Sequence, residues 1–140
     1  SAIPTGEIAS VEGTPMDFRT EKEIGRDIRA DFEQLHFTGG YDHNYVLGRP
    51  GEKKIMANAY CRESGIALEA ATDCCGVQFY AGNFIGEQTG KGGAAYHDRS
   101  AFCLESQFYP NAVNEPDFPS PVVKAGDTYH TETSYRFYLR

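Results

Sequence analysis

Apolar and polar side chains alternate along several stretches of this chain, and each such stretch predicts a strand. Ile55, Ala57, Ala59 and Cys61 alternate with Met56, Asn58 and Tyr60. After the turn residues Glu63-Ser64-Gly65, Ile66, Leu68 and Ala70 alternate with Ala67, Glu69 and Ala71, which predicts a hairpin with polar atoms on one side. Val77-Gln78-Phe79-Tyr80 predicts a third strand, with Val77 and Phe79 toward a core and Gln78 and Tyr80 together on the opposite face. From Ala101 to Gln107, Phe102, Leu104 and Ser106 share one face while Cys103, Glu105 and Gln107 share the other. A long strand is predicted from Thr128 to Leu139, with Tyr129, Thr131, Thr133, Tyr135, Phe137 and Leu139 on one side. Glu132, Ser134 and Arg136 lie on the other.

Helical spacing shows in the charged stretch from Thr20 to Leu35, where Ile24, Ile28, Phe32 and Leu35 recur and Thr20 with Glu23 suits a capping box. Gly25 weakens a continuous helix, so one or two short helical turns are expected, ended by Gly39-Gly40. Upstream, Pro4, Gly6, Gly13 and Pro15 surround Ile8-Ala9-Ser10-Val11 and predict extended chain with one short strand. The run from Gly82 to Gly93 is rich in glycine but lacks a Walker ending and a following helix, so it reads as a surface loop. Pro110, Pro116, Pro119 and Pro121 predict a stiff, irregular connection before the last strand. No internal repeat is apparent.

Composition agrees with the pattern. Nine Tyr, nine Phe, 15 Gly and 7 Pro without a Trp describe strands and turns, and 140 residues suit one domain with a sizeable core. A net charge of -7 without a basic block argues against nucleic acid or an anionic membrane as a partner. With no long apolar run, neither a bilayer span nor a signal segment is expected. The chain opens at Ser1-Ala2 without an initiator Met, which reads as a cloning or processing remnant. Cys61, Cys74, Cys75 and Cys103 do not form a zinc pattern; buried, reduced thiols in a cytoplasmic protein are expected, with a single disulfide from Cys61 left open.

Three places carry candidate chemistry. Glu105 is a carboxylate at the centre of an otherwise uncharged strand, where it is solvated, ion-paired, or kept for its proton chemistry. Gln78 and Tyr80 set an amide beside a phenol, a combination suited to polyhydroxylated ligands, because the amide donates and accepts while the ring lies against C–H faces. In Tyr41-Asp42-His43-Asn44-Tyr45-Val46-Leu47 a polar run directly precedes apolar residues, and Asp42 and Asn44 serve there equally well as turn formers.

Taken in order, these stretches make the sequence similar to the aldose 1-epimerase (galactose mutarotase) family. The segments that carry the resemblance are Ile3-Pro4-Thr5-Gly6-Glu7-Ile8, Gly13-Thr14-Pro15-Met16-Asp17-Phe18, and Gly40 to Leu47. Gly76 to Phe84, Phe102 to Gln107, and Asn114-Glu115-Pro116-Asp117-Phe118-Pro119-Ser120 continue it. The resemblance implies an all-β fold, part of a large antiparallel β-sandwich (the galactose mutarotase-like supersandwich) with one or two short helical turns. It implies interconversion of the α and β anomers of free aldohexoses without metal or cofactor. It assigns Glu105 as the base that takes the anomeric hydroxyl proton, and Asp42 and Gln78, with Tyr80 beside them, to sugar binding.

Where family members often carry a proline before the Gly-Val-Gln run, this chain has Cys74-Cys75. A larger departure concerns the general acid. In the family an acid histidine, a second sugar-binding histidine and an arginine precede the Ile-Pro-Thr-Gly stretch, and those segments are not in this sequence. His36, His43, His97 and His130 match none of them and read as surface or structural histidines, His43 being the best outside candidate because it adjoins Asp42. The resemblance therefore assigns residues 1–140 to the C-terminal portion of a single epimerase domain, completed by a second polypeptide carrying the N-terminal portion. The competing expectations are a carbohydrate-binding domain without catalysis and an inactive fragment.

Overall fold

The computed structural model describes residues 3–140; Ser1 and Ala2, on which the expectation of a cloning or processing remnant falls, lie outside them. Among the described residues the chain forms one short α-helix, α1 (Glu33–Thr38), and strands β1 (Asp42–Val46), β2 (Lys54–Tyr60), β3 (Ile66–Thr72) and β4 (Gly76–Tyr80). Strands β5 (Gln88–Thr89), β6 (Ala95–Tyr96), β7 (Cys103–Gln107) and β8 (Thr133–Leu139) follow, so the all-β expectation holds. The chain divides into two compact units, Ser1–His43 with Phe79–Cys103, and Asn44–Gln78 with Leu104–Arg140.

The first unit packs around aromatic rings. Phe18 stands edge-on to Tyr41 at 4.9 Å and to Phe79 at 5.4 Å, while Tyr41 and Phe79 stack at 5.4 Å. Tyr41 is fully buried, and its hydroxyl donates to the Pro15 carbonyl at 3.0 Å, which satisfies the one polar atom its burial would otherwise strand. Helix α1 starts later than the spacing from Ile24 predicts. The preceding charges serve side-chain pairs: Lys22 and Arg26 converge on the Asp27 carboxylate at 2.9 Å each, and the nearly buried Lys22 ammonium sits 4.2 Å from the Phe18 ring centre. The chain there forms turns, and no capping box begins a helix at Thr20. Gly39 ends α1 in the left-handed conformation (φ 65°), as the Gly-Gly pair implies. Ile8-Ala9-Ser10-Val11 is not a strand: it gains no partner among the described residues, and the Val11 carbonyl instead accepts from Thr14 in a turn.

In the second unit β2, β3 and β8 form an antiparallel sheet in that order. The predicted β2–β3 hairpin is present, with a register shift between Ile55 and Ala57. On one face Ala67 lies between Tyr60 and Tyr138 and is covered to 1 % exposure. On the other, Ile66 opposes Leu139 and Leu68 opposes Phe137; Ile66, Phe137 and Leu139 are exposed. The last strand begins at Thr133, not Thr128, because its partner runs out. Thr72 is the final β3 residue in register, Asp73 still exchanges bonds with Glu132, and the chain then turns into Cys74-Cys75.

A chain of hydroxyls, Thr72 to Thr133 at 3.1 Å and Thr133 to Ser106 at 2.6 Å, ties β3 and β8 to β7. The proline-rich connection is anchored by Phe118, whose ring meets Tyr109 edge-on at 5.0 Å in a cluster with Cys75 and Ala112. None of the four cysteines forms a disulfide; Cys74 and Cys75 are buried as expected, but Cys61 and Cys103 are exposed, which corrects the expectation of buried thiols throughout. Among the described residues no helix is long and apolar enough to cross a membrane.

Candidate functional site

Contacts within the second unit distinguish the two faces of β7. Ser106 Oγ bonds Thr133, and the Leu104 carbonyl accepts from the Tyr135 hydroxyl at 2.8 Å, so the Ser106 face looks toward β8. Gln107, one residue on, points the other way. Its Nε2 donates to Asn44 Oδ1 and to Gln78 Oε1, each at 3.3 Å. Strand alternation puts Glu105 on the Gln107 side, and its side chain is exposed to solvent.

The amide cluster has a local cause. In strand order β1-β4-β7, Gln78 stands on the strand between those of Asn44 and Gln107, within reach of neighbours on the same face. Val77, on the opposite side of β4, is buried at 3 % exposure and holds that strand's orientation, as the sequence pattern predicts. Asn44 lies against Gly76, which offers no side chain to displace it. The result is three carboxamides joined edge to edge, with an exposed carboxylate two residues from one of them. Such a surface can accept a proton at Glu105 and exchange hydrogen bonds with a ligand rich in hydroxyls.

Of the residues singled out in the sequence, Gln78 and Glu105 belong to this second unit. Asp42 and Tyr80 belong to the first. Asp42 opens β1 half-buried, and its backbone N–H donates to His43 Nδ1 at 3.0 Å. Tyr80 is half-buried, with its hydroxyl accepting the Phe84 N–H at 2.9 Å. Asn44 was named in the sequence only beside Asp42, with a turn-forming alternative, and Gln107 was given no role, although alternation along β7 places Gln107 on the Glu105 face and is the signal that finds it.

His43 is a structural histidine. One ring nitrogen accepts from Asp42, the ring also bonds the Gln34 backbone, and burial lowers its pKa against the opposing pull of the Asp42 charge. His97 pairs with Glu87 and His36 lies 3.4 Å from Asp31, both on exposed surface. A cavity of about 250 Å³ in the first unit is lined by Gly13, Thr14, Asp17, Thr20, Glu21 and Arg26, and none of the sequence-selected residues lines it. Its charged groups are already committed, Asp17 to Arg19 and Arg26 to Asp27.

Comparison with known proteins agrees with the sequence reading. The family model described as aldose 1-epimerase matches residues 1–136. A galactose mutarotase from Bos taurus is 45% identical over 136 residues, covering 96% of this chain and 38% of the relative. An aldose 1-epimerase from Escherichia coli (strain K12) is 36% identical over 138 residues, covering 96% of this chain and 40% of the relative. The crystal structure of a GalM/aldose epimerase homologue from C. elegans matches with a TM-score of 0.77 and 30% identity, over 98% of this chain and 40% of that one. The chain thus spans about two fifths of the length of the relatives it matches.

Proposed function

Because the chain belongs to the aldose 1-epimerase family, we propose that it supplies the catalytic base and part of the sugar-binding surface of a mutarotase acting on free aldohexoses such as galactose and glucose. Glu105 takes the proton of the anomeric hydroxyl while an acid protonates the ring oxygen. The C1–ring oxygen bond breaks, the aldehyde turns about the C1–C2 bond, and closure on the other face delivers the second anomer. Asp42, Gln78 and Tyr80 hold hydroxyls or the C–H face of the sugar. The observation that supports this reading best is the exposed Glu105 carboxylate, on the same strand face as the side chain that joins Gln78 to Asn44. No metal or cofactor enters the reaction.

The general acid is a histidine of the family portion that this chain does not match, and that portion completes a single epimerase domain with residues 1–140. Two features support such completion. His43 has its ring committed to the backbone, and β8 is a regular edge strand without proline or lysine, bearing exposed Phe137 and Leu139. Cysteines without disulfides fit a cytoplasmic setting.

Polarimetry of α-galactose or α-glucose tests the reading, with this chain alone and with the polypeptide carrying the unmatched portion. Faster equilibration only with both present is expected. Sugar binding without acceleration in either case replaces the enzyme with a carbohydrate-binding domain, and neither binding nor acceleration leaves an inactive fragment.

A further inference from the structure

Two contacts bracket Glu105 from the side opposite its own side chain. The Leu104 carbonyl, part of the peptide that joins Leu104 to Glu105, accepts from the Tyr135 hydroxyl at 2.8 Å. Ser106 Oγ lies 2.6 Å from Thr133 Oγ1. Residues 104 and 106 stand about 7 Å apart along a strand, and so do residues 133 and 135, so the contacts match in spacing and hold β7 at two points. One point would let the strand pivot; two fix its direction as well. Thr133 is itself anchored. It pairs with the fully buried Thr72 in the β3–β8 ladder, and Thr72 Oγ1 bonds Thr133 Oγ1 at 3.1 Å while accepting the Cys74 N–H at 3.1 Å. Among the described residues no hydrogen bond or ion pair holds the exposed Glu105 carboxylate, so its place follows from the backbone beneath it.

We propose that Tyr135 and Thr133 are positioning residues for the base: from the far face of β7 they set where the Glu105 carboxylate stands, and so how it meets the anomeric hydroxyl. This rests on the role of base proposed for Glu105. Neither side chain lies on the Glu105 face; both act through the strand that carries it. The effect falls on the rate, because proton transfer demands a short and well-aligned approach, and a displacement of about 1 Å costs up to about 100-fold.

Polarimetry of galactose with the completed enzyme tests it. Tyr135→Phe keeps the ring and removes the hydroxyl; Thr133→Val keeps the branched shape and removes the hydroxyl; Thr133→Ser keeps the hydroxyl. The first two are each expected to lower kcat about tenfold with KM changed less than about twofold, and Thr133→Ser to stay within about twofold of wild type. In a Glu105→Gln background, Tyr135→Phe and Thr133→Val are expected to cost nothing more, because the group they place is already gone. An unchanged kcat in either variant, an effect confined to KM, or a further tenfold loss on top of Glu105→Gln overturns the proposal while the functional reading stands. Tyr135 is half exposed, so Tyr135→Phe decides alone where Thr133→Val does not fold. A wild-type enzyme that does not accelerate mutarotation, or a Glu105→Gln variant that keeps its rate, overturns the functional reading, and the roles of Tyr135 and Thr133 with it.

Discussion

Asn44 lies over Gly76 so closely that a Cβ on the glycine would stand 2.5 Å from Asn44 Oδ1 and 3.1 Å from its Nδ2. On the same side it would come within 3.0 Å of the Tyr109 ring, which is buried in a cluster with Phe118 and has little room to retreat. The glycine is needed for space and not for an unusual φ. Gly76→Ala is expected to destabilise the chain by about 1–3 kcal/mol, the usual scale of overpacking, and to displace the Asn44 carboxamide from Gln107. Urea denaturation measures the first effect and the Gln107 side-chain amide resonances the second. An unchanged midpoint would contradict the close approach.

Glu105→Gln keeps the size of the side chain and removes its basicity. In the completed enzyme we expect mutarotation of galactose to slow at least ~100-fold, the lower range for loss of a general base, with sugar affinity changed far less. Polarimetry gives the rate. A variant that keeps its activity removes Glu105 from the reaction.

His43 links stability to pH. Burial lowers its folded pKa, so below the ordinary value of about 6.5 the unfolded chain binds more protons than the folded one. Its contribution is therefore fully present above about pH 6.5 and is lost as the pH falls from there through the lower folded value. The nearby Asp42 charge works against the shift and lessens the effect. Urea midpoints measured between about pH 8 and about pH 5 are expected to fall more steeply for the wild type than for His43→Gln. Equal slopes would exclude a His43 held neutral by its partial burial.

The thiols are expected to react in a set order. The Ser64 hydroxyl, then the backbone N–H groups of Ser64 and Glu63, lower the pKa of the exposed Cys61. Burial raises that of Cys75. At neutral pH iodoacetamide should therefore alkylate Cys61 well before Cys75, and Ser64→Ala should slow the first reaction, with mass spectrometry of peptides as the readout. Modification of Cys75 ahead of Cys61 would contradict both assignments.

Local alternation was enough to locate β3, β4 and β7, and in β4 the cause is plain: Val77 and Phe79 are buried while Gln78 and Tyr80 are half-buried, so a shift of one residue would turn the wrong set inward. It was not enough for the start of β8. Tyr129 and Thr131 continue the same alternation as Tyr135 and Phe137, but a strand exists only where another backbone lies beside it, and β3 ends at Thr72. The helix was misplaced for a related reason: the spacing of Ile24, Ile28 and Leu35 is helical, yet Lys22, Arg26 and Asp27 form their own pairs and the regular turn starts only at Glu33. At the candidate site, Glu105 and Gln78 were legible as residue types on defined faces. The link between Gln78, Asn44 and Gln107 was not, since it joins side chains 29 and 63 positions apart in the chain.

Asn83 has a consequence for the acid that opens β1. Its Nδ2 donates at 3.0 Å to the carbonyls of both Thr38 and Tyr41, and so staples together the two ends of the bend that carries Gly39 and Gly40. The heading with which Asp42 leaves that bend is thereby governed by an amide from a distant stretch of chain. Trimming Asn83 to alanine would unpin both carbonyls at once, and the carboxylate next along would lose its aim without having been touched.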